Sequence, residues 1–365
     1  MKIAYFHRLT FEDTEQRFKE EAERMGIDLV FIKYKNLSLE SDNFNKTQKN
    51  KITFKGIDLK DFDIWFFRSV GSELEWSKLL QLYARDNNIP IVDDYILTEG
   101  VLKRFKSTMG YLLAKNGINY PQTTYFNTFK QVKNYLGVED CSYPGGSIAT
   151  DRIQNKDSIA SLQNDGGELN HICNCGGSCG CGGCSTDSFD REVVYPFIIK
   201  MSSGGRHGMS TFFIQQKTDL LEMEKTLTDR KEKAIKEGKT VPLYRGFLLQ
   251  EYIPNDGDFR VMTVGYKCIG GFKRAPKEEK LVLNKSQGKS TGMDKLPDDV
   301  IKTAEEAAKV LGIEVAGTDL VRHKDTGEVY IVEVNEAPQF KVFEKRTKIN
   351  APKMILDYLI EKANC

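Results

Sequence analysis

The sequence predicts a mixed α/β and α+β protein, with a small parallel α/β domain first and a larger half of mainly antiparallel strands after it. Three observations carry this. Short apolar runs alternate with helix-period segments over residues 1–97, and strand follows strand through short turns from residue 195 onward. Between them, residues 141–192 are rich in Gly, Ser, Asn and Asp. Taken in order, residues 2–6 read as a short apolar strand. Phe11, Phe18, Ala22 and Met25 then recur at helical spacing before Gly26, and residues 28–34 are strand-like again. Residues 41–51 read as a polar loop. The aromatic run 62–67 predicts a strand, Trp76, Leu79, Leu80 and Tyr83 a helix, and residues 89–92 a further strand.

Phe105, Met109, Leu112 and Leu113 mark the next helical face, closed by Gly117, with a short helix over 129–136. The stretch 141–192 cannot bury enough apolar surface to order itself, so it reads as an inserted loop that a metal or a partner would have to pin. Beyond it come a strand (196–200), a Gly-rich turn (202–210), a strand (211–215), a charged helix (219–236) and strands at 247–253, 259–265 and 268–274. A helix with Val300, Ile301, Ala304, Ala308 and Leu311 on one face leads to strands at 316–322 and 329–334. A closing helix lies around Met354, Ile355, Tyr358 and Leu359.

Among 365 residues, 53 Lys+Arg face 52 Asp+Glu, which supplies no general attraction to nucleic acid or to an acidic membrane. No apolar run approaches the roughly 18 residues of a spanning helix. The opening Met1-Lys2-Ile3 leads into a strand-like segment rather than a signal peptide. A cytoplasmic enzyme is expected, with no nucleic-acid or membrane partner. Of eight cysteines, Cys173, Cys175, Cys179, Cys181 and Cys184 fall within twelve residues, a spacing that favours a local metal or thiol site over a disulfide scaffold.

The strongest chemical constellation is Asp319 with Glu333 and Asn335 in Ile331-Val332-Glu333-Val334-Asn335. On a strand, Glu333 and Asn335 share a face, and Asp319 sits on the preceding strand of a hairpin that turns at residues 324–327. Two carboxylates and an amide oxygen suit a hard cation such as Mg2+, normally shared with nucleotide phosphates. Gly204-Gly205-Arg206-His207-Gly208 joins two strands, which excludes the dinucleotide fingerprint but allows glycines to fold over phosphates. Gly288-Lys289-Ser290-Thr291 is no P-loop, because Leu283 stands where that motif needs glycine. Lys106 and Lys200 singly read as surface lysines. Glu251, followed by Asp258 and Arg260, could form a strand-edge site for a purine base and its ribose.

The succession Lys106, Lys200, Gly-rich turn, Gln250-Glu251-Tyr252-Ile253, Asp258-Phe259-Arg260, Lys273-Arg274, Asn284, Asp319 and Glu333-Val334-Asn335 resembles the ATP-grasp superfamily. It is most similar to the RimK-like glutamate ligases and their glutathione synthetase relatives, over residues 95–350. The resemblance implies a pre-ATP-grasp α/β domain (1–97), a first ATP-grasp subdomain holding the Cys-rich insertion (98–194) and nucleotide- and metal-binding subdomains (195–365). It implies that Lys106 and Lys200 contact ATP phosphates and that Ser203, Gly204, Gly205, His207 and Gly208 close over them. Gln250, Glu251, Tyr252 and Ile253 would hold adenine, with Asp258 near the ribose. Asp319, Glu333 and Asn335 would bind two Mg2+ ions, which Mn2+ could replace. Arg260 and Arg274 would face the transferred phosphoryl group and the acyl intermediate, and Arg274 and Asn284 the substrate.

The implied activity is ATP-dependent joining of a carboxylate to an amine through an acyl phosphate, on an amino-acid, peptide or protein substrate, in a chain that the resemblance also suggests is a homo-oligomer. Two departures leave the added amino acid open. Glu336-Ala337-Pro338-Gln339-Phe340 follows the Glu-Val-Asn motif in place of small residues and Pro-Gly, and Val282-Leu283-Asn284 keeps only the asparagine of an Arg-Ser-Asn triplet. His171, Cys173, Cys175, Cys179, Cys181 and Cys184 lie outside the family pattern. Their spacings suit Zn2+ or Cu+, with a substrate-like peptide or an insertion without specific role as the other readings. The alternative function is a nucleotide-binding sensor or metal-handling protein on a weakly active ATP-grasp body.

Overall fold

A computed structural model describes residues 1–8, 13–42, 49–70, 73–93, 105–138, 195–201, 210–239, 246–276 and 295–365. The chain divides into a unit of Met1–Val132 with Tyr195–Cys365 and a second unit, Lys133–Val194. Within the second, the described residues form a helical end, with the Leu136 N–H donating to Lys133 O at 3.1 Å and the Val138 N–H at 2.9 Å.

The first region runs β1 (Lys2–His7), α1 (Asp13–Arg24), β2 (Asp28–Lys33), β3 (Leu37–Asp42), β4 (Lys49–Phe54), β5 (Ile57–Asp58), β6 (Ile64–Phe67), α2 (Leu74–Asp86) and β7 (Ile91–Val92). Strands β2, β1, β6 and β7 pair in that order, all parallel, as the strand and helix alternation predicts. Their apolar runs are continuous because both faces are covered. Ala4, Phe6, Trp65 and Phe67 enter one core, where Trp65 stacks on Tyr83 with ring centroids 6.3 Å apart, and Ile3, Tyr5, Ile64 and Phe66 meet Phe18 and Ala22 of α1 on the other. The polar loop expected at 41–51 is instead flanked by strand on both sides. Leu37–Asp42 and Lys49–Phe54 pair antiparallel, and β5 joins β4 to make a three-stranded sheet. Cross-strand pairing satisfies the backbone here whatever the polarity of the side chains, as in the exposed Ser41 and Asn50, whose side chains hydrogen-bond at 2.9 Å.

Next come α3 (Lys106–Lys115), β8 (Thr123–Phe126), α4 (Phe129–Tyr135), β9 (Phe197–Met201), β10 (Thr211–Ile214), α5 (Lys217–Lys236) and β11 (Phe247–Glu251). Strands β10, β9, β11 and β8 form an antiparallel sheet. β8 precedes the 141–192 stretch and pairs with β11 beyond it; the stretch itself, with its cysteines, lies outside the described residues. The remainder is β12 (Asp258–Val264), β13 (Lys267–Arg274), α6 (Asp298–Leu311), β14 (Val315–Arg322), β15 (Val329–Asn335), α7 (Lys341–Thr347) and α8 (Ala351–Ala363). A second four-stranded antiparallel sheet runs β13, β12, β14, β15. No helix among the described residues is long and apolar enough to cross a membrane.

Both faces of the parallel sheet are continuous with the C-terminal half. One core runs from Phe6 and Trp65 to Ala304, Leu311 and Ile331, the other from Tyr5 and Phe18 to Ile355 and Leu359. A buried polar tie reinforces the junction. Asp93, just past β7 with a φ of 64°, accepts from the Glu314 N–H at 2.7 Å and the Val315 N–H at 3.1 Å. Its own N–H donates to Glu314 Oε2 at 2.9 Å, while Tyr358 and Lys362 hold Glu314 Oε1. Burial, followed by the neighbouring Glu314 carboxylate, pushes the Asp93 carboxyl well above its ordinary range. A raised folded-state pKa means that its stabilising contribution is complete below the unfolded carboxyl pKa and is lost as pH rises through the folded value. Asp93→Asn keeps an acceptor for the two N–H groups and tolerates the left-handed backbone. Its stability relative to wild type, from urea midpoints, is therefore expected to improve as pH rises. Asp93→Ala strands both N–H groups and is expected to cost about 2–6 kcal/mol.

Candidate functional site

A cleft in the larger unit gathers residues from α3, both four-stranded antiparallel sheets and the turn before β12. Its apolar wall includes Ile198, Phe213, Ile253, Val321 and Val332. Polar groups stand round it: Lys106, Lys200, Gln250, Glu251, Asp258 and Glu333. An apolar slot with a few convergent polar groups is the usual make-up of a small-molecule site. Phe213 at the edge of the β10 sheet packs on Tyr252 with ring centroids 4.8 Å apart. Gln250 is buried, and its Nε2 donates to Thr123 Oγ1 at 3.0 Å, which ties β11 to β8. Glu251 Oε2 accepts from the Gln122 N–H at 3.3 Å.

The two lysines reach the same strand from different elements. Lys106, at the first turn of α3, brings Nζ to 3.9 Å from Glu333 Oε1, and burial lowers its pKa. Lys200, on β9 and mostly buried, donates to the Val332 carbonyl at 3.3 Å. That carbonyl is available because of a bulge. Asp319 opposes Glu333 and Leu320 opposes Ile331, so Val332 is the extra residue on β15 and lacks a cross-strand partner.

Beside the cleft, charged side chains form a row across the β13-β12-β14-β15 sheet. Arg274 on β13 opposes Asp258 on β12, and Arg260 on β12 opposes Asp319 on β14. Arg274 Nε donates to Asp258 Oδ1 at 2.8 Å and its Nη2 contacts Asp258 Oδ2. Asp319 Oδ1 accepts from Arg260 Nη1 at 3.0 Å and from Arg274 Nη2 at 2.7 Å. Burial works against the Arg274 charge, but Asp319 and then Asp258 outweigh it and raise its pKa. Asn335 Nδ2 donates to Gly317 O at 3.2 Å and approaches Asp319 Oδ2 at 3.5 Å. Among the described residues no three His, Cys, Asp or Glu gather into a metal cluster. Asp319, Glu333 and Asn335 together offer two carboxylates and one carboxamide, a donor set that fits a hard divalent cation.

The structure thus brings together Lys106, Lys200, Gln250, Glu251, Tyr252, Ile253 and Asp258 as cleft residues, and Arg260, Arg274, Asp319, Glu333 and Asn335 as a neighbouring charged edge. Ser203, Gly204, Gly205, His207 and Gly208, as well as Asn284, His171, Cys173, Cys175, Cys179, Cys181 and Cys184, lie outside the described residues. Sequence reasoning missed Tyr120 and Gly257. Tyr120 sits over Gly110 of α3, where a Cβ would lie 2.6 Å from its ring, and Gly110 itself was the available signal. Gly257 has a φ of 110°, and a Cβ there would lie 2.1 Å from Arg274 O. The Asn255-Asp256-Gly257 turn chemistry before a strand was the legible cue.

Residues 186–359 match the family model of the RimK-like ATP-grasp domain. That match covers just under half of the chain. It is 36% identical over 115 residues to a probable alpha-L-glutamate ligase of Halorhodospira halophila, which is 31% of this chain and 37% of that protein. The probable alpha-L-glutamate ligase of Ectopseudomonas mendocina is 35% identical over 123 residues, 33% of this chain and 40% of that protein. The match therefore spans about two fifths of these relatives' length. The ATP-grasp fold extends further. The ATP-grasp ligase PsnB, complexed with a minimal precursor, superposes with a TM-score of 0.58 at 14% identity, covering 99% of this chain and 98% of that one. The macrocyclase MdnC of Microcystis aeruginosa, bound to its precursor peptide MdnA, gives 0.58 at 13% identity over 99% and 100%. D-alanine–D-alanine ligase of Bacillus anthracis with ATP gives 0.53 at 15%, over 100% and 97%.

Within the matched residues, Gly257 lets the turn lie against the backbone of Arg274. Gly257→Ala is expected to displace that backbone, loosen the Arg274 ion pairs and cost about 1–3 kcal/mol in strain, read as a lowered urea midpoint. An unchanged midpoint would show that the turn yields freely.

Proposed function

We propose that the protein is an ATP-dependent carboxylate–amine ligase that forms an amide bond on an amino-acid or peptide substrate. The observation that carries this is the junction of the apolar cleft with the charged row, where Lys106 meets Glu333 at 3.9 Å and Lys200 reaches the Val332 bulge. ATP fits that junction in chemistry. The apolar wall of Ile198, Phe213 and Val321 accepts a purine, the Tyr252-Ile253 backbone its edge, and the two lysines its phosphates. Asp258, already committed to Arg274, stands at the ribose end of the slot.

A carboxylate is a poor electrophile, so its oxygen attacks the γ-phosphorus, ADP departs, and an acyl phosphate results. An amine then attacks the acyl carbon, loses its proton and expels inorganic phosphate. This chemistry asks the protein mainly for positioning and charge neutralisation. Arg260 and Arg274 stand where the transferred phosphoryl group would carry its charge, fixed by Asp319 and Asp258. Asp319, Glu333 and Asn335 would hold Mg2+, which when bound neutralises the phosphate oxygens. Lys106, partly desolvated, orients the phosphate chain towards Glu333.

A peptide substrate is the finer reading. PsnB and MdnC have each been seen with precursor peptides, and PsnB with Mg and ADP. The sensor reading is disfavoured by the intact set of oxygen donors, which a binding module has no need to keep.

The test is phosphate release from ATP and Mg2+ in the presence of amino acids and peptides, with products weighed by mass spectrometry. Glu333→Ala is expected to lower substrate-dependent release by about 100-fold or more. Release that is indifferent to this substitution, or a wild-type chain that yields no amide product across the screen, would sink the ligase reading.

A further inference from the structure

The segment leaving β15, residues 336–340, departs from the family pattern and has no part in the chemistry assigned above. It runs to the carboxyl edge of the parallel sheet. In the order β2, β1, β6, β7, the connections from β1 diverge to either side, and the crevice at such a switch point is where open α/β sheets receive ligands. Here the chain's own segment takes that place. Arg68, immediately after β6, donates from Nη2 to Pro338 O at 2.5 Å and lies 5.8 Å above the Phe340 ring, which packs edge-on against Phe18.

Arg68 is only 4% exposed, and its charge acts on the neighbouring Asp93 carboxyl and Tyr5 hydroxyl rather than on a close carboxylate partner. Its Nη1 is buried without a hydrogen-bond partner. A buried cation with no carboxylate at ion-pair distance is a poor device for stability alone. What it holds leads directly to the charged row. A Cβ built on Gly317 would lie 2.6 Å from Pro338 Cβ and 2.6 Å from Arg260 Nη2, so the proline ring and the guanidinium converge over that glycine. Gly317 opposes Asn335 and accepts from its Nδ2 at 3.2 Å, and the other arm of Arg260 reaches Asp319 at 3.0 Å.

We infer that Arg68 is a positioning residue of the ligase site: by holding Pro338 O it seats the proline against which Arg260 rests, and so places the Arg260 guanidinium for the terminal phosphoryl group of ATP. The inference rests on the ligase reading for the role of Arg260. It assigns the first α/β region a share in the site although none of its residues lines the cleft. It also gives a purpose to Glu336-Ala337-Pro338-Gln339-Phe340: Pro338 buttresses Arg260, and Phe340 anchors the segment beneath Arg68.

The full chain is titrated calorimetrically in Mg2+ with AMPPNP and with ADP, and its melting is followed alongside. Arg68→Met, which keeps the apolar stem, is expected to weaken AMPPNP binding about tenfold while ADP affinity stays within about twofold, since the adenine slot is untouched. Arg68→Lys, which keeps a donor for Pro338 O, is expected to recover part of the loss. Gly317→Ala acts on the same contact from its far side without touching Arg68, and should reproduce the selective loss. Unchanged AMPPNP affinity in both Arg68→Met and Gly317→Ala, or equal losses for AMPPNP and ADP, overturns the inference. A wild-type chain that binds both nucleotides but makes no amide sinks the ligase reading alone, with the Arg68 effect still read on binding. A wild-type chain that binds neither overturns both.

Discussion

The Asp319 carboxylate is the point on which the site depends. Its Oδ1 accepts from both Arg260 and Arg274, while its Oδ2 faces Asn335. Two guanidinium groups converge on one carboxylate only if a second anion balances them, and Asp258 supplies it from β12. These side chains are largely buried, at 5–16% exposure. Buried ion pairs add little net stability over apolar packing, because desolvation offsets most of the attraction. What they provide is fixed geometry. Four antiparallel strands each contribute to the row, and a slip by one residue in any register would turn that strand's charged side chains to the opposite face.

Much of this was legible in the sequence, for a physical reason. Strand alternation is a local property, so Glu333 and Asn335 could be assigned to one face from spacing alone, and Asp319 to the adjoining strand from the turn at 324–327. The parallel sheet was legible because β1 and β6 are buried on both faces and therefore read as unbroken apolar runs. The strands β3, β4 and β8 were not, since their order comes from cross-strand pairing rather than from periodic hydrophobicity. Leu37, Leu39, Ile52 and Phe54 alternate, but polar residues at the tip mask the pattern. Nor could spacing show that Asp258 is committed to Arg274, or that a bulge at Val332 would offer its carbonyl to Lys200. The first depends on the register of the β12–β13 pair, and the second on a bulge in the β14–β15 pair meeting a strand 132 residues away.

The first α/β region illustrates the same distinction at larger scale. Its own strands and helices follow from local patterning, yet its consequence for the site runs through long-range contacts: Asp93 with Glu314, and Arg68 with Pro338. Both tie the ends of parallel strands to segments flanking the charged row. The two apolar cores continue across the same junction, from Trp65 to Ile331 and from Phe18 to Leu359. Packing of this kind resists small displacements, because interiors are close-packed and transmit strain. A contact at the edge of the parallel sheet can thus set the position of a guanidinium on β12.

Under the proposed function, the state of Lys106 suits the cleft to an anion. Desolvation lowers its pKa even though Glu333 lies 3.9 Å away, so burial outweighs the single distant carboxylate. The same low-dielectric surroundings that penalise the isolated ammonium strengthen its attraction to any phosphate that enters. A polyphosphate would therefore relieve a cost already present in the fold, and the relief is largest where the lysine is least hydrated. Glu333 alone is a weak substitute at that distance, which leaves the ammonium disposed to take a phosphate, while under the proposed function the carboxylate would take a divalent cation. Under the proposed function these two exchanges happen together, because a metal-bound nucleotide brings both partners at once, and neither is equally favourable alone.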